Sequence, residues 1–204
     1  MRNIKKTLVV TLDKANPKYS AEYSTVENRF LKSMPNSQVV KIERIQNKVL
    51  WKKYFWAKEM MSKKYKSTPN VQPVMEVLYF HGSRTTPPET IYTSSEGIDR
   101  RYTTGAALGL GAYFANNAQY SWSGGYVHTM ANGQKQVFLA RVCPGVTTSG
   151  DNIESQNWSV LKVNPATGKR FDSVTDNIND DVKRVMYVTF SNDQSYPQYV
   201  LTFT

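Results

Sequence analysis

The sequence predicts an α+β fold built on a mainly antiparallel sheet. Helical patterns cluster in the first half of the 204-residue chain and strand patterns in the second, a segregation that belongs to this class. The run Gln134–Val142, QKQVFLARV, is apolar on both faces in its middle, which predicts a central strand covered on two sides.

Each element has its own signal. Lys6–Leu12, KTLVVTL, is short and β-branched and predicts a first strand, ended by Asn16-Pro17. Over Ser20–Met34, Tyr23, Val26, Phe30 and Leu31 mark one face of a helix. Ser24 and Glu27 are spaced as a capping box partway in, and Pro35-Asn36 closes the helix. Gln38–Ile45 alternates, with Val40, Ile42 and Ile45 inward, and predicts a second strand. Asn47 caps a long helix to about Lys64. In it Leu50, Tyr54, Ala57, Met61 and Tyr65 fall at helical spacing, and Trp51 and Phe55 widen the apolar face. The other face carries Lys48, Lys52, Lys53, Lys58, Lys63 and Lys64. The expectation is a solvated face on a helix packed against the sheet, with the aromatics in the core and not in a nucleic-acid stacking platform.

Ser67–Asn70 reads as a linker, and Glu76–Phe80 as a strand leading into His81. Pro87-Pro88 starts a short helix over Glu89–Ser95 that Gly97 ends. Asp99–Ala107 is a polar loop. Ala112–Ala115 is a short strand, followed by a helical turn and a break at Gly124-Gly125. Residues 145–172 are turn-rich, with a strand expected near Trp158–Val163. Val182–Phe190 is a strand, and another runs from Tyr199 to the C-terminus with Pro197 at its start. No internal repeat divides the chain. It reads as one domain over 1–204, with a helix-and-strand lead-in over 1–70 and a core over 71–204.

The totals exclude several classes. Forty per cent hydrophobic and 12% aromatic residues argue against a disordered chain. No apolar run reaches membrane-spanning length. The basic start Met1–Lys6 precedes an apolar patch that Asp13 and Lys14 interrupt. No signal peptide is therefore expected, and an intracellular location, cytoplasmic or nuclear, is. The one cysteine, Cys143, allows no internal disulfide and reads as a small buried hydrophobe, with nothing nearby in sequence to activate it. His81 and His128 are far apart, and no Cys/His cluster has ligand spacing, so no metal is expected. A formal charge of +10 suits anionic partners such as nucleic acid, a phosphorylated cofactor or an acidic protein, and it equally suits solubility.

The stretch from Val77 to Tyr126 carries the chemistry. An apolar strand delivers His81-Gly82, and a glycine-flanked strand, GLGAYFA at Gly109–Ala115, carries Tyr113. Ser121 and Tyr126 follow. An imidazole at a strand end, a bare glycine backbone and flanking tyrosines are the parts of a slot for a flat, polar ring. Taken singly, each has a plain alternative. His81 fits a histidine satisfied at a strand end, Tyr113 a strand aromatic, Tyr126 a loop tyrosine, and Gly109 and Gly111 a bulge.

Taken jointly, FHGS at Phe80–Ser83, GLGAYFA, QVFLARV at Gln136–Val142, FDSVTDN at Phe171–Asn177 and QSYPQYVLTF at Gln194–Phe203 resemble the catalytic domain of the PARP-type (diphtheria-toxin-like) ADP-ribosyltransferases. Val39–Tyr54 is similar to the start of that domain in the macrodomain-associated mono-ADP-ribosyltransferases. The resemblance implies a split antiparallel sheet with flanking helices. It implies NAD+ as co-substrate, cleaved between nicotinamide and ribose, and no metal. His81 would then hydrogen-bond a ribose hydroxyl. Gly82 would offer its backbone to the nicotinamide carboxamide, and Ser121 its hydroxyl to the same group. Tyr113 would line the nicotinamide pocket near the ribose, and Tyr126 would stack on the ring, with Tyr120 competing for that role. Ser83 and the Asp99–Arg101 loop, Arg100 included, would lie towards the adenosine half.

One departure matters. Poly-ADP-ribosylating members carry a glutamate on the late strand, and counting back from Gln194 that position is Met186. The catalytic set implied is His81, Tyr113 and Met186. A thioether does none of a carboxylate's work on a ribose hydroxyl or an oxocarbenium ion. Glu154, Asp176 and Asp193 are near in sequence, and nothing in the sequence places them in the slot. The implied activity is transfer of one ADP-ribose to protein acceptors, Asp or Glu side chains first. The alternatives are a silent NAD- or ADP-ribose-binding module and modification of a nucleic-acid terminal phosphate. No membrane partner is expected, and the sequence leaves the oligomeric state open.

Overall fold

The structure, a computed structural model, describes residues 7–103, 107–150, 161–177 and 185–204. In chain order these form β1 (Leu8–Thr11), α1 (Ser20–Leu31), β2 (Val39–Gln46), α2 (Lys48–Tyr65), β3 (Val77–His81), α3 (Pro88–Thr93), β4 (Ala112–Ala115), α4 (Ala118–Ser123), β5 (His128–Thr129), β6 (Lys135–Val142), β7 (Thr147–Ser149), β8 (Val163–Asn164), β9 (Lys169–Arg170), β10 (Ser173–Thr175), β11 (Met186–Thr189) and β12 (Ser195–Phe203). The main sheet runs β1-β2-β12-β6-β3-β4-β11-β10-β7, with β5 paired to β6. Among the described residues its pairings are antiparallel except β10–β7. The class is α+β, as the segregated patterns predict.

β6 is central, hydrogen-bonded to β12 on one side and β3 on the other. Its two-faced apolar run serves different neighbours on each face. Val137 and Leu139 join Phe30 of α1 and Phe203, while Phe138 meets Ile45, Val200 and Ile91, and Ala140 meets Phe114 and Ile98. Phe30 is fully buried against the rings of Phe80 and Phe203. Its truncation would leave a cavity at the meeting of helix and sheet.

α2 starts at its expected cap. The Asn47 side chain accepts from the N–H groups of Val49 and Leu50. Two carboxylates then fasten the helix. Glu76 accepts from Tyr54 Oη (2.7 Å) and Lys58 (3.0 Å) and pairs with Arg141. Burial alone would raise the Glu76 carboxyl, but the Tyr54 and Lys58 hydrogen bonds and the Arg141 charge hold it below the usual range. Asp172 accepts from Tyr65 Oη (2.7 Å) and the Val146 N–H (2.8 Å) and pairs with Lys64. Burial, then the bonds to Asp172 and Glu76, push the Tyr65 and Tyr54 phenols up.

Several expectations are corrected. Phe55 does not widen the buried face of α2 and is 46% exposed; Trp51 does so in part, its ring edge to face with buried Tyr196 at 5.2 Å while it stays 42% exposed. Leu50, Tyr54, Met61 and Tyr65 already fill the contact stripe, so the residues beside it stay outside. Val40 faces out instead of in, where the β2–β12 register shifts. The capping box does not form: α1 starts at Ser20, which leaves Ser24 in the helix interior, and the Asn16 carbonyl takes the Ser20 N–H. α1 ends at Leu31 because the N–H groups of Ser33 and Met34 both turn back to the Phe30 carbonyl. Pro197 lies inside β12, where a register shift between Pro197 and Tyr199 absorbs the missing donor. Of the strand expected near Trp158–Val163, Trp158–Val160 lie outside the described residues, and Val163 belongs to β8, paired with β9. Val182–Arg184, Glu154, Met1–Lys6 and part of the Asp99–Ala107 loop also lie outside them. No helix among the described residues is long and apolar enough to cross a membrane.

Candidate active site

β3 and β4 share one register pair, Phe80 with Ala115, and His81 stands just past it. The imidazole takes over where the ladder stops: its Nδ1 lies 2.8 Å from the Tyr113 carbonyl oxygen. A carbonyl only accepts, so Nδ1 carries the proton and, in the neutral ring, Nε2 is left as an acceptor. The ring packs 5.4 Å from Phe114 and 6.3 Å from Phe138, centroid to centroid. Burial holds the imidazole below its ordinary value of 6.5, opposed by the bond to the Tyr113 carbonyl.

Gly82 sets the next wall. A Cβ there would stand 2.3 Å from the Tyr126 carbonyl oxygen, so only glycine lets this backbone lie against Tyr126. Tyr126 is held at both ends: its N–H donates to the Ser121 carbonyl, and its carbonyl accepts from the Arg84 N–H, each at 2.8 Å. The Arg84 guanidinium lies 4.9 Å from the Tyr126 ring centroid, and Arg84 takes a left-handed φ of 49° to do this. His128 Nδ1 bonds the Arg84 carbonyl at 2.8 Å and fixes the turn. Ser121 is buried in α4, which Asn117 caps through the Tyr120 N–H. The Tyr120 and Tyr126 rings are stacked at 6.1 Å and 26°.

Tyr113 is fixed through its hydroxyl, which accepts from the Leu108 N–H (2.8 Å) and donates to the Gly109 carbonyl (3.0 Å). Burial pushes the phenol up to about 12, so it is neutral at physiological pH. With its proton committed to Gly109, Tyr113 presents a ring face and not an acid. Its register partner is Val188, and Met186 pairs with Ala115. Directly opposed residues share a sheet face, so Tyr113 and Met186 lie on the same one. Met186 is buried. Its N–H and that of Val185 donate to Asp176 at 3.1 Å, and Thr175 Oγ1 donates to its carbonyl. Asp176 thus spends its carboxylate on the backbone that starts β11.

The structure brings His81, Gly82, Tyr113, Ser121 and Tyr126 into one connected set, with β11 beside it. Ser83 adjoins, but its Oγ donates to the Thr86 carbonyl within its own turn. Arg100 lies in a cleft of about 810 Å³ beside α2 with Met60, Lys64, Phe171 and Phe190, its guanidinium 3.5 Å from the Leu110 carbonyl. The sequence reading missed Arg84, His128 and the placing of Asp176. Arg84 directly follows FHGS and Asp176 sits in FDSVTDN, but a positive φ and a bond to a strand start leave no mark in the residue pattern. Among the described residues no group of three His, Cys, Asp or Glu side chains could hold a metal ion. The set can grip a flat ring between aromatic walls and take a hydroxyl proton at His81 Nε2.

The family profile described as the poly(ADP-ribose) polymerase catalytic domain matches residues 20–204. The human protein mono-ADP-ribosyltransferase PARP14 is 35% identical over 184 residues, 89% of this chain and 10% of that protein. A probable poly(ADP-ribose) polymerase of Dictyostelium discoideum is 34% identical over 187 residues, 91% of this chain and 50% of that protein. The human protein mono-ADP-ribosyltransferase PARP12 is 32% identical over 196 residues, 91% of this chain and 24% of that protein. The chain spans half or less of the length of each of these relatives. With a match over nearly its whole length, it belongs to the family of poly(ADP-ribose) polymerase catalytic domains.

Proposed function

We propose that this chain is a mono-ADP-ribosyltransferase. It cleaves NAD+ at the nicotinamide–ribose bond and passes one ADP-ribose to a protein acceptor. The observation that carries the reading is the fixed tautomer of His81, its Nδ1–H on the Tyr113 carbonyl, with Met186 on the neighbouring strand. His81 Nε2 accepts from a ribose hydroxyl. Gly82 meets the carboxamide with its backbone and Ser121 with its hydroxyl. Tyr113 and Tyr126 wall the ring. When the C–N bond breaks, its electron pair goes to the pyridinium nitrogen and nicotinamide leaves neutral. The positive charge passes to the ribose, and the acceptor oxygen closes a new C–O bond. Catalysis of this kind rests on orientation and on the field around the developing charge.

Met186 explains why one unit is transferred. Elongation needs a base for the incoming ribose hydroxyl, and a thioether is none. An ionised Asp or Glu acceptor needs no such base, so acidic side chains are the acceptors we infer. The names of PARP14 and PARP12 as mono-ADP-ribosyltransferases support this reading.

The test is incubation with NAD+ labelled on its adenylate, with and without a mixed protein extract. Discrete single modifications are expected, falling on the order of 100-fold or more in His81→Ala, the size lost when one preorganised hydrogen bond is removed from a reacting centre. A ladder of products would overturn the mono-transfer. Binding of NAD+ by calorimetry with no transfer would make the chain a silent reader of the nucleotide.

A further inference from the structure

The outward side of α2 takes no part in the slot. Trp51, Phe55, Trp56 and Met60 are 42%, 46%, 60% and 60% exposed. Large apolar side chains gathered on one exposed helix face point to a bound partner. The lysines of the same helix divide into two sets. Lys53, Lys58 and Lys64 reach Glu96, Glu76 and Asp172 and hold the helix down. Lys48, Lys52 and Lys63 are exposed and make no ion pair among the described residues. Helical spacing puts these three on the outward arc among the aromatics, where the Phe55 and Trp56 rings meet edge to face at 6.2 Å between centroids. Glu59 is the one acid on α2 and shares the arc.

We propose that this face binds single-stranded nucleic acid, with phosphates on the lysines and bases stacked on the neighbouring rings. The chemistry matches on both counts: unpaired cations for the backbone, exposed aromatic side chains for the bases, Trp56 the most open at 60%. The chain's +10 formal charge adds long-range attraction. The mixture on the arc decides against a lipid surface. A helix lying in a membrane keeps its lysines on one face and its aromatics on the other, whereas here lysines and aromatic rings share one face. At 1.5 Å per residue, Lys48 to Lys63 spans ~22 Å, comparable with the shortest single-strand sites, about 4 nucleotides. The proposal stands apart from the transferase reading, because no residue of the slot enters it.

The test is fluorescence anisotropy of a labelled oligouridylate titrated with the whole chain at several salt concentrations. Wild-type protein should bind at low salt, with quenching of its tryptophan emission. The triple variant Lys48→Gln, Lys52→Gln, Lys63→Gln should raise Kd at least about 10-fold and flatten the slope of log Kd against log salt by about 2, at ~0.7 per lost phosphate contact. Trp56→Ala should raise Kd about 5-fold or more, as loss of one stacked base does. Lys18→Gln, Lys32→Gln, Lys135→Gln removes the same charge elsewhere and should leave Kd within about 2-fold. Thermal melts check that each variant is folded. No binding by the wild type, or equal losses in the two triple variants, would overturn the proposal. So would binding to phosphatidylserine vesicles in place of the oligonucleotide, or self-association that quenches the tryptophans without it.

Discussion

The fastening of α2 and the slot at β3–β4 handle charge in opposite ways. Beneath α2, Glu76 collects a tyrosine hydroxyl and two cations and Asp172 a tyrosine hydroxyl and one, and these side-chain bonds tie helix to sheet. In the slot, His81 and Tyr113 are neutral at physiological pH and their bonds run to backbone, His81 to Tyr113 and Tyr113 to Leu108 and Gly109, with the Arg84 guanidinium on the Tyr126 ring at the edge. Ionised pairs make a rigid anchor that needs no substrate. Neutral groups set by backbone leave His81 without an anionic partner of its own, which suits the proposed substrate, whose nicotinamide ring is cationic.

The contrast can be broken at several points. The largest effect is expected from Gly82→Ala, because the added Cβ would meet backbone, the Tyr126 carbonyl oxygen at 2.3 Å, and backbone cannot rotate away. Transfer should fall on the order of 100-fold or more in single-turnover assays, as small misplacements in a site do. An active variant would show that the Gly82–Tyr126 contact does not organise the slot. Asp172→Ala attacks the other region. It strands the Tyr65 hydroxyl, Lys64 and the Val146 N–H, and should cost about 3 kcal/mol of stability in urea unfolding. NAD+ affinity should be unchanged well below the melting point; a parallel loss of affinity would mean that anchor and slot are one unit.

Met186→Glu restores a carboxylate where Met186 faces the same way as Tyr113. NAD+ turnover to water or to a growing chain should rise several-fold, at about 1–2 kcal/mol of stability for burying the acid. A silent variant would place the acceptor path elsewhere. The smallest effect is in pH. His81 acts as a neutral acceptor, and burial keeps its folded value below 6.5. Affinity for NAD+ should therefore stay flat above pH 6.5 and weaken a few-fold as pH falls through the lower, folded value. Its stability contribution has the same sign, complete above 6.5 and lost from there downward. A loss of affinity on raising pH through 7 would contradict the assigned tautomer.

What the sequence reveals depends on how many residues share a signal. β6 is legible because eight residues carry the pattern, and the cap at Asn47 because its side chain acts locally. β5, β7 and β9, HT, TTS and KR, are too short to show any period; they exist because longer neighbours offer them an edge. The His81–Tyr113 pairing is legible through ordered motifs, not through either residue alone. Phe55 misleads because spacing sets its direction on the helix, while the width of the contact stripe is set by the sheet beneath. Arg84 shows the deepest limit, since its role rests on a backbone angle that residue type does not announce.

Cys143 is the chain's one cysteine. It lies wholly buried among Leu50, Tyr54, Met61, Tyr65 and Tyr196 beneath α2, with burial pushing its thiol up to about 12. A maleimide can reach it only when α2 lifts from the sheet, so the alkylation rate is a clock for that opening. Run with and without saturating NAD+, the clock tells how far the molecule is mechanically divided. If α2 opens alone, the ticking is indifferent to nucleotide; if it opens only with the slot, each tenfold excess of nucleotide over Kd slows it about tenfold.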